Sequence, residues 1–194
     1  MSRIANLAAS STLIFMAILL VLSRIPLQGF VPPILLVIVS ALLVTIIVRV
    51  IDGPKPSIIA FSAIFGFCLI LAAWGFTTIV FYPSGHDGFA YHLTAIWDLA
   101  AGWNPILSPH NNIWVDSYPT GYWALEGFIV STTGLPLSGQ SLIVGLMVVL
   151  AVQAYAFFFE RVGPLLPSHQ NIISLFFAAL VVCNPAVVTH VQTH

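Results

Sequence analysis

The sequence predicts an all-α fold made of helices that cross a membrane. Hydrophobic residues fill 59% of its 194 positions and charged residues only 6%, and the mean hydropathy is +1.05. A soluble domain carries about four times that share of charged residues. Backbone groups in lipid must be satisfied within their own segment, and the alternating pattern of a barrel strand is absent, so the apolar segments are predicted to be helices. The net charge of −1 gives no basis for a nucleic-acid partner.

Five segments are apolar enough to span a bilayer, which takes roughly 20 residues in a helix. The first is the shortest, and it lacks the small-residue pattern of a signal-peptide cleavage site, so we expect it to be retained. Residues 1–56 are predicted to form a two-helix membrane extension, and residues 57–194 form the main transmembrane part with a large loop at 82–139. The predicted spans are 7–23, 31–51, 57–81, 141–159 and 172–189.

Basic residues predict the orientation, because short cytoplasmic loops accumulate Lys and Arg. A cytoplasmic N-terminus places Arg3, Arg49 and Lys55 inside, against the single exception of Arg24, and leaves loop 82–139 outside. If residues 118–133 crossed the membrane, Arg161 would also lie outside. We therefore expect 118–133 to be a helix at the membrane surface of an integral membrane protein.

The outer loop begins with a polar stretch, residues 82–118, that contains no Lys or Arg. Ser84 and Asp87 resemble a capping box, and Gly102 precedes an Asn-Pro pair, so residues 87–101 are predicted to form a two-faced helix. Imidazoles and carboxylates beside a membrane are costly to place, and they serve mainly in proton transfer, metal binding or ligand capture. The stretch contains Asp87, Asp98, Asp116, His86, His92 and His110.

Asp87 is the strongest candidate for a catalytic group. It could act as a general base or as a ligand of a hard cation such as a divalent metal, beside His86, Tyr91 and His92. The alternative is that Asp87 only stabilises the first helical turn through the backbone amides and the helix dipole. Glu126 is the second candidate, because a carboxylate among apolar neighbours needs a partner if it is buried.

The remaining polar residues have ordinary explanations. Asp98 suits a solvated helix face as well as a site, turn chemistry explains Asp116 equally well, and His110 suits a plain loop. His190 and His194 have the spacing of two metal ligands on a helix, but no third ligand accompanies them, so we predict no metal site from them.

Two motifs in this loop resemble a known family. The first reads GHDGFAYHL at residues 85–93 and continues with AGWNP at 101–105. The second reads YPTGYW at residues 118–123. In this order they resemble the first extracytoplasmic loop of GT-C glycosyltransferases, the polytopic enzymes that include protein O-mannosyltransferases and the aminoarabinose transferase of lipid A. The resemblance extends over about residues 81–194, and it implies that the chain lies in a bacterial inner membrane.

The resemblance implies a specific chemistry. Asp87 would deprotonate an acceptor hydroxyl, which attacks the anomeric carbon of a sugar carried on a polyprenyl phosphate. The acceptor would be a glycan, a lipid or a protein. Substrate-binding residues would be His86, Tyr91, His92, Tyr118 and Glu126.

The chain also departs from the family pattern. Gly88 follows Asp87, where many members carry a second acidic residue, and two spans precede the usual first helix. A leaving phosphate needs cationic or hydrogen-bonding stabilisation, yet no Lys or Arg lies between Lys55 and Arg161. We therefore expect the chain to be the N-terminal part of a longer enzyme.

Two other functions remain open from the residues alone. One is a transporter or proton-pathway subunit, with Asp87, His92 and Glu126 as a proton relay. The other is a non-catalytic membrane or assembly subunit.

Overall fold

The computed structural model describes residues 2–24, 31–77, 91–118, 120–162 and 164–184. These residues form eight α-helices and contain no strand, which confirms the predicted all-α polytopic fold. The helices are α1 (Ser2–Arg24), α2 (Pro33–Asp52), α3 (Pro54–Thr77), α4 (Leu93–Ala100), α5 (Ile113–Ser117), α6 (Gly121–Thr133), α7 (Ser141–Val162) and α8 (Gln170–Val182).

Four segments of these helices are long and apolar enough to cross a membrane, and the chain is therefore an integral membrane protein. They are Ser2–Leu22, Pro33–Asp52, Pro54–Gly75 and Ser138–Val162, followed by a shorter apolar helix at Pro167–Val182. The first span is longer than the sequence suggested. The last predicted span, 172–189, is helical only to Val182, and residues 185–189 lie outside the described part of the chain.

The spanning helices pack around one apolar core. Phe15 of α1, Val44 of α2, Ile64 of α3 and Leu142 of α7 are each at most 2% exposed. Gly145 makes close packing possible, because a Cβ at this position would lie 2.7 Å from side-chain atoms of both Phe67 and Leu71. Small residues at such crossings let transmembrane helices approach closely.

Contacts between helix ends define two ends of the bundle. The Asn6 amide donates a hydrogen bond to the Glu160 carboxylate (3.4 Å), so α1 begins where α7 ends. A Cβ on Gly75 would lie 3.5 Å from the Ser138 side chain, so α3 ends where α7 begins. We call the second end the loop end, because the chain leaves α3 and enters α7 there.

The opposite end is the basic end, because it carries Arg3, Arg49, Lys55 and Arg161. The chain between α3 and α7 thus leaves and returns at the same end of the bundle. This geometry agrees with the prediction that residues 118–133 do not cross the membrane: α6 has 13 residues and is not among the candidate spans.

At the loop end, a second and smaller core joins α4, α5 and α6. Its centre is formed by Ile96, Leu99, Val115 and Trp123, each at most 5% exposed. Gly127 of α6 permits this contact, since a Cβ there would lie 2.9 Å from the Ile96 carbonyl oxygen and from the Leu99 Cβ. The α6 helix belongs to both cores, because Phe128 packs into the larger one.

Candidate functional site

Four aromatic rings from three separate segments meet at the loop end. Tyr91 and His92 immediately precede α4, Tyr118 follows α5, and Trp123 lies in the first turn of α6. We call these four residues the aromatic cluster. The sequence singled out the first three as binding residues, and the fold brings all three together.

The rings of the cluster are in direct contact. The ring centroids of Tyr91 and His92 are 4.4 Å apart, those of His92 and Trp123 are 4.9 Å apart, and those of Tyr91 and Tyr118 are 5.4 Å apart. Edge-to-face and offset-stacked pairs at these separations are favourable beyond the area they bury. The cluster is thus a preformed, rigid group of rings.

Exposure differs within the aromatic cluster. Trp123 is 4% exposed and His92 is 8% exposed, whereas Tyr118 is 43% exposed. A half-exposed tyrosine presents both an apolar ring face and a hydroxyl to a ligand. Tyr118 therefore forms the accessible edge of the cluster, and Trp123 forms its buried base.

A buried carboxyl group lies one helical turn beyond Trp123. Glu126 is 2% exposed, and its stem is covered by Gly139, where a Cβ would lie 2.9 Å from the Glu126 Cβ. The Oε1 atom of Glu126 has no hydrogen-bond partner among the described residues. The sequence left open whether this side chain faces water, and the structure places it in the interior.

Burial raises the pKa of Glu126 to about 8, and the nearby Tyr122 hydroxyl partly opposes this shift. Burial removes water from the carboxylate and thereby disfavours its charged form. At neutral pH the group is therefore mostly the neutral acid, which carries a proton that it can donate or release.

Tyr122 lies one turn before Glu126, so the two side chains share one face of α6. The Tyr122 hydroxyl is also buried and lies close enough to Glu126 for each group to shift the pKa of the other. The two groups nevertheless do not meet the distance and angle of a hydrogen bond, and no other described residue bonds to the hydroxyl. Its pKa is raised, first by burial and then by the charge of Glu126. The sequence motifs did not identify Tyr122 or Trp123 as site residues. The four-residue spacing of Tyr122 and Glu126 is the sequence signal that places their side chains on one helix face.

Unmatched buried polar atoms are uncommon in folded proteins, and each one points to a bound water, a ligand or a functional role. Tyr122 and Glu126 each carry such an atom, and we call them the Tyr122–Glu126 pair. The Ser141 hydroxyl is a third such atom, two residues beyond Gly139 at the start of α7. The loop end therefore combines a preformed aromatic cluster with buried polar groups that can accept a partner.

The loop between α4 and α6 holds a different polar arrangement, centred on His110. The Asn112 backbone N–H donates to His110 Nδ1 (2.9 Å), and His110 Nε2 lies 2.7 Å from Asp98 Oδ2. Because Nδ1 accepts a hydrogen bond, the neutral ring carries its proton on Nε2 and donates it to Asp98. The Asp116 carboxylate in turn accepts from the His110 backbone N–H at 2.9 and 3.1 Å.

We call Asp98, His110, Asn112 and Asp116 the His110 clamp. The sequence left Asp98 and Asp116 open between ordinary roles and a site, and favoured a plain loop for His110. In the structure the three side chains belong to one hydrogen-bonded group. Both nitrogens of the ring are engaged, and the ring of Trp103 packs edge-on against it at 4.7 Å. This arrangement orders the loop and leaves the imidazole no free nitrogen for catalysis.

Several predicted residues lie outside the described part of the chain. These include His86 and Asp87, the Ser84 cap, and the His190 and His194 pair. The helix predicted at 87–101 is observed from Leu93 to Ala100, and Gly102 with a φ of 107° follows its end as expected. Among the residues that are described, no three His, Cys, Asp or Glu side chains are grouped as metal ligands.

Comparison with protein-family models, with curated proteins and with solved structures finds no match for this chain.

Proposed function

We propose that this chain belongs to a membrane glycosyltransferase that transfers a sugar from a polyprenyl-phosphate-linked donor to a hydroxyl of a glycan, lipid or protein acceptor. The supporting observation is the aromatic cluster. Residues of both motifs that resemble GT-C enzymes, Tyr91 and His92 in one and Tyr118 and Trp123 in the other, are in ring contact at one end of the bundle.

The location of this cluster suits such a reaction. Tyr91 is four residues beyond Asp87 in the sequence, so the motif that contains the proposed base also supplies two rings of the cluster. A lipid-linked donor lies in the membrane with its sugar at the surface, and the aromatic cluster lies where the spanning helices end. The half-exposed ring of Tyr118 would contact the sugar or the acceptor.

The proposal also includes an orientation. Because Lys and Arg accumulate in cytoplasmic loops, the basic end would face the cytoplasm and the loop end would face the outside of a bacterial inner membrane. The phosphate of the donor then needs a positive partner. No residue from 56 to 160 is Lys or Arg, so this partner would be Arg24, a divalent cation or a group of another segment or chain.

The decisive experiment is an Asp87→Asn substitution in the protein expressed from its complete gene. Transfer of labelled sugar from the polyprenyl-phosphate donor should be lost, because an amide cannot accept the proton of the acceptor hydroxyl. Asp52→Asn is the matched control, since Asp52 is exposed at the basic end and its loss should leave transfer unchanged. Full transfer by the Asp87→Asn variant at equal expression would remove Asp87 from the mechanism.

A second candidate function, a proton pathway, is favoured by one observation. Glu126 is a buried acid with its pKa raised to about 8, and ionisable groups held within a membrane protein often mark proton relays. In proteoliposomes this function predicts a flux driven by a pH gradient that Glu126→Gln abolishes. A glycosyltransferase would show no such flux, so the two candidates are separated by this assay.

A further inference from the structure

Four large apolar side chains project from the loop between α4 and α6, which includes the short helix α5; Ile113 and Trp114 are the first two residues of that helix. Ile106 is 73% exposed, Leu107 69%, Ile113 74% and Trp114 61%. We call these residues the apolar tip. Isolated exposed apolar residues are normal on protein surfaces, but two adjacent pairs within nine positions of one loop form a concentrated apolar surface.

The apolar tip is held in place by polar interactions behind it. The His110 clamp joins the loop to α4 through Asp98 and to α5 through Asp116. The indole N–H of Trp103 donates to the Ser108 carbonyl (3.1 Å) within the same loop. The loop therefore directs the His110 imidazole inward to hydrogen bonds while its largest apolar side chains face outward, and the carboxylates of Asp98 and Asp116 that hold it stay partly exposed behind them.

The charge of the tip limits what it can bind. Residues 104–114 contain no Asp, Glu, Lys or Arg, and the single imidazole is engaged in the His110 clamp. Such a surface offers no cation to an anionic headgroup, and the partly exposed carboxylates of Asp98 and Asp116 behind it would repel one. It offers Ile and Leu side chains together with Trp, the residue enriched where a membrane meets water.

The position of the tip adds the final argument. Its loop leaves and returns at the loop end of a bundle whose sides are covered by exposed apolar residues, such as Ile34 (54%) and Trp74 (41%) near that end. These side chains face lipid, because the bundle spans the membrane. The surface of one leaflet therefore lies beside this end, continuous with the lipid-facing surface of the spans.

We infer that the apolar tip inserts into the interfacial region of the leaflet at the loop end and binds neutral phospholipid there. The tip is a membrane anchor that holds α4 and the aromatic cluster at a fixed depth relative to the bilayer. This inference rests on exposure, charge and position, and it holds whether the protein is a glycosyltransferase or a proton pathway.

The test uses an environment-sensitive fluorophore attached at single cysteines in the 194-residue chain, with Cys68→Ala and Cys183→Ser as background. Labels at Leu107→Cys and Ile113→Cys are compared in phosphatidylcholine vesicles with a lipid-facing reference at Ile46→Cys and an exposed reference at Ala101→Cys. Nitroxide-bearing lipid should quench the two tip labels several-fold more than the Ala101 label. Aqueous iodide should quench them several-fold less.

Each other result contradicts the inference. Tip labels quenched by iodide like the Ala101 label would mean that the loop stays in water. Labels quenched by neither agent would mean burial against protein, for example a second copy of the chain. Quenching by lipid only after anionic phosphatidylglycerol is added would show an electrostatic contact instead of an apolar one.

A second variant guards against effects of the label itself. Ile113→Ser with Trp114→Ser leaves the hydrogen bonds of the His110 clamp in place and removes half of the apolar tip. Lipid quenching of the Leu107 label should then fall several-fold, because the pairs insert together. Unchanged quenching would show that the tip does not act as a unit.

Discussion

The two polar regions at the loop end differ in how their hydrogen bonds are satisfied. In the His110 clamp, the imidazole and both carboxylates have partners at 2.7–3.1 Å. In the Tyr122–Glu126 pair, the tyrosine hydroxyl and one carboxyl oxygen are buried without a partner among the described residues. A satisfied network stabilises one conformation, whereas unmatched buried groups cost free energy unless water, a proton or a ligand fills the site.

The His110 clamp and the Tyr122–Glu126 pair therefore have different roles. The clamp is structural, although it contains the histidine and aspartates that suggest catalysis in a sequence. The Tyr122–Glu126 pair, together with the aromatic cluster, is the place to look for binding. Four substitutions separate these roles.

The largest effect is expected for Trp123→Ala. Trp123 is 4% exposed and contacts the rings of Tyr91, His92 and Tyr118, so its truncation should cost about 3–5 kcal/mol of stability. Unfolding in mixed micelles measures this loss. Trp114→Ala is the control, since Trp114 is 61% exposed and its removal should cost less than about 0.5 kcal/mol in micelles. Equal losses would mean that the aromatic cluster is not packed as described.

Glu126→Gln should change how stability depends on pH. The pKa of Glu126 is raised from 4.5 when unfolded to about 8 when folded, so between these values the folded state binds the extra proton. The free energy of unfolding should therefore fall as pH rises, by up to ~1.4 kcal/mol per pH unit. The Glu126→Gln variant should lose this slope and become the more stable protein at about pH 9, above the folded-state pKa.

The control for this pH dependence is Glu160→Gln at the exposed basic end, which should retain the slope. Thermal unfolding at a series of pH values on both sides of neutrality gives the comparison. A slope that persists in the Glu126→Gln variant would show that another group titrates.

Gly127→Ala should separate α4 from α6. The added Cβ would meet the Ile96 carbonyl oxygen at 2.9 Å and the Ala100 nitrogen at 3.2 Å, and backbone atoms cannot move aside without shifting a helix. We expect a loss of about 1–3 kcal/mol, with weaker protection of α4 amides from hydrogen exchange. Gly66→Ala has no atom within 4 Å of the new Cβ and should not destabilise the protein.

The smallest effect is expected for His110→Ala. It removes the acceptor of the Asn112 N–H and the donor to Asp98, which should cost about 1–2 kcal/mol at this partly exposed site. Protease cleavage between residues 104 and 112 should become faster, while the pH slope of Glu126 stays unchanged. Asn111→Ala serves as the control in the same loop, and equal cleavage rates would argue against the clamp.

The fold was largely predictable because membrane spans are determined by local composition. Length and hydropathy were sufficient for α2, α3 and α7. The basic residues predicted that the α6 region does not cross the membrane, and α6 is shorter than the candidate spans. The exact bounds were less accurate, since the first span begins at Ser2 and not at residue 7, and α3 begins at Pro54 and not at residue 57.

The candidate site was only partly predictable. The motifs led to Tyr91, His92 and Tyr118, but a sequence does not show which side of an apolar helix faces protein, so the burial of Glu126 stayed open. The His110 clamp was missed because its partners are 12 residues apart for Asp98 and 6 for Asp116. Only the folded loop brings them together.

The contact between Gly75 and Ser138 has a consequence for how this protein can change over time. Because α3 ends beside the start of α7, the outer segment leaves and returns at neighbouring points, and Phe128 of α6 also fixes it in the larger core. The part between α4 and α6 can therefore vary without reordering the spanning helices. Exchanging that part while α6 is kept should leave the membrane scaffold intact and give it a different ligand.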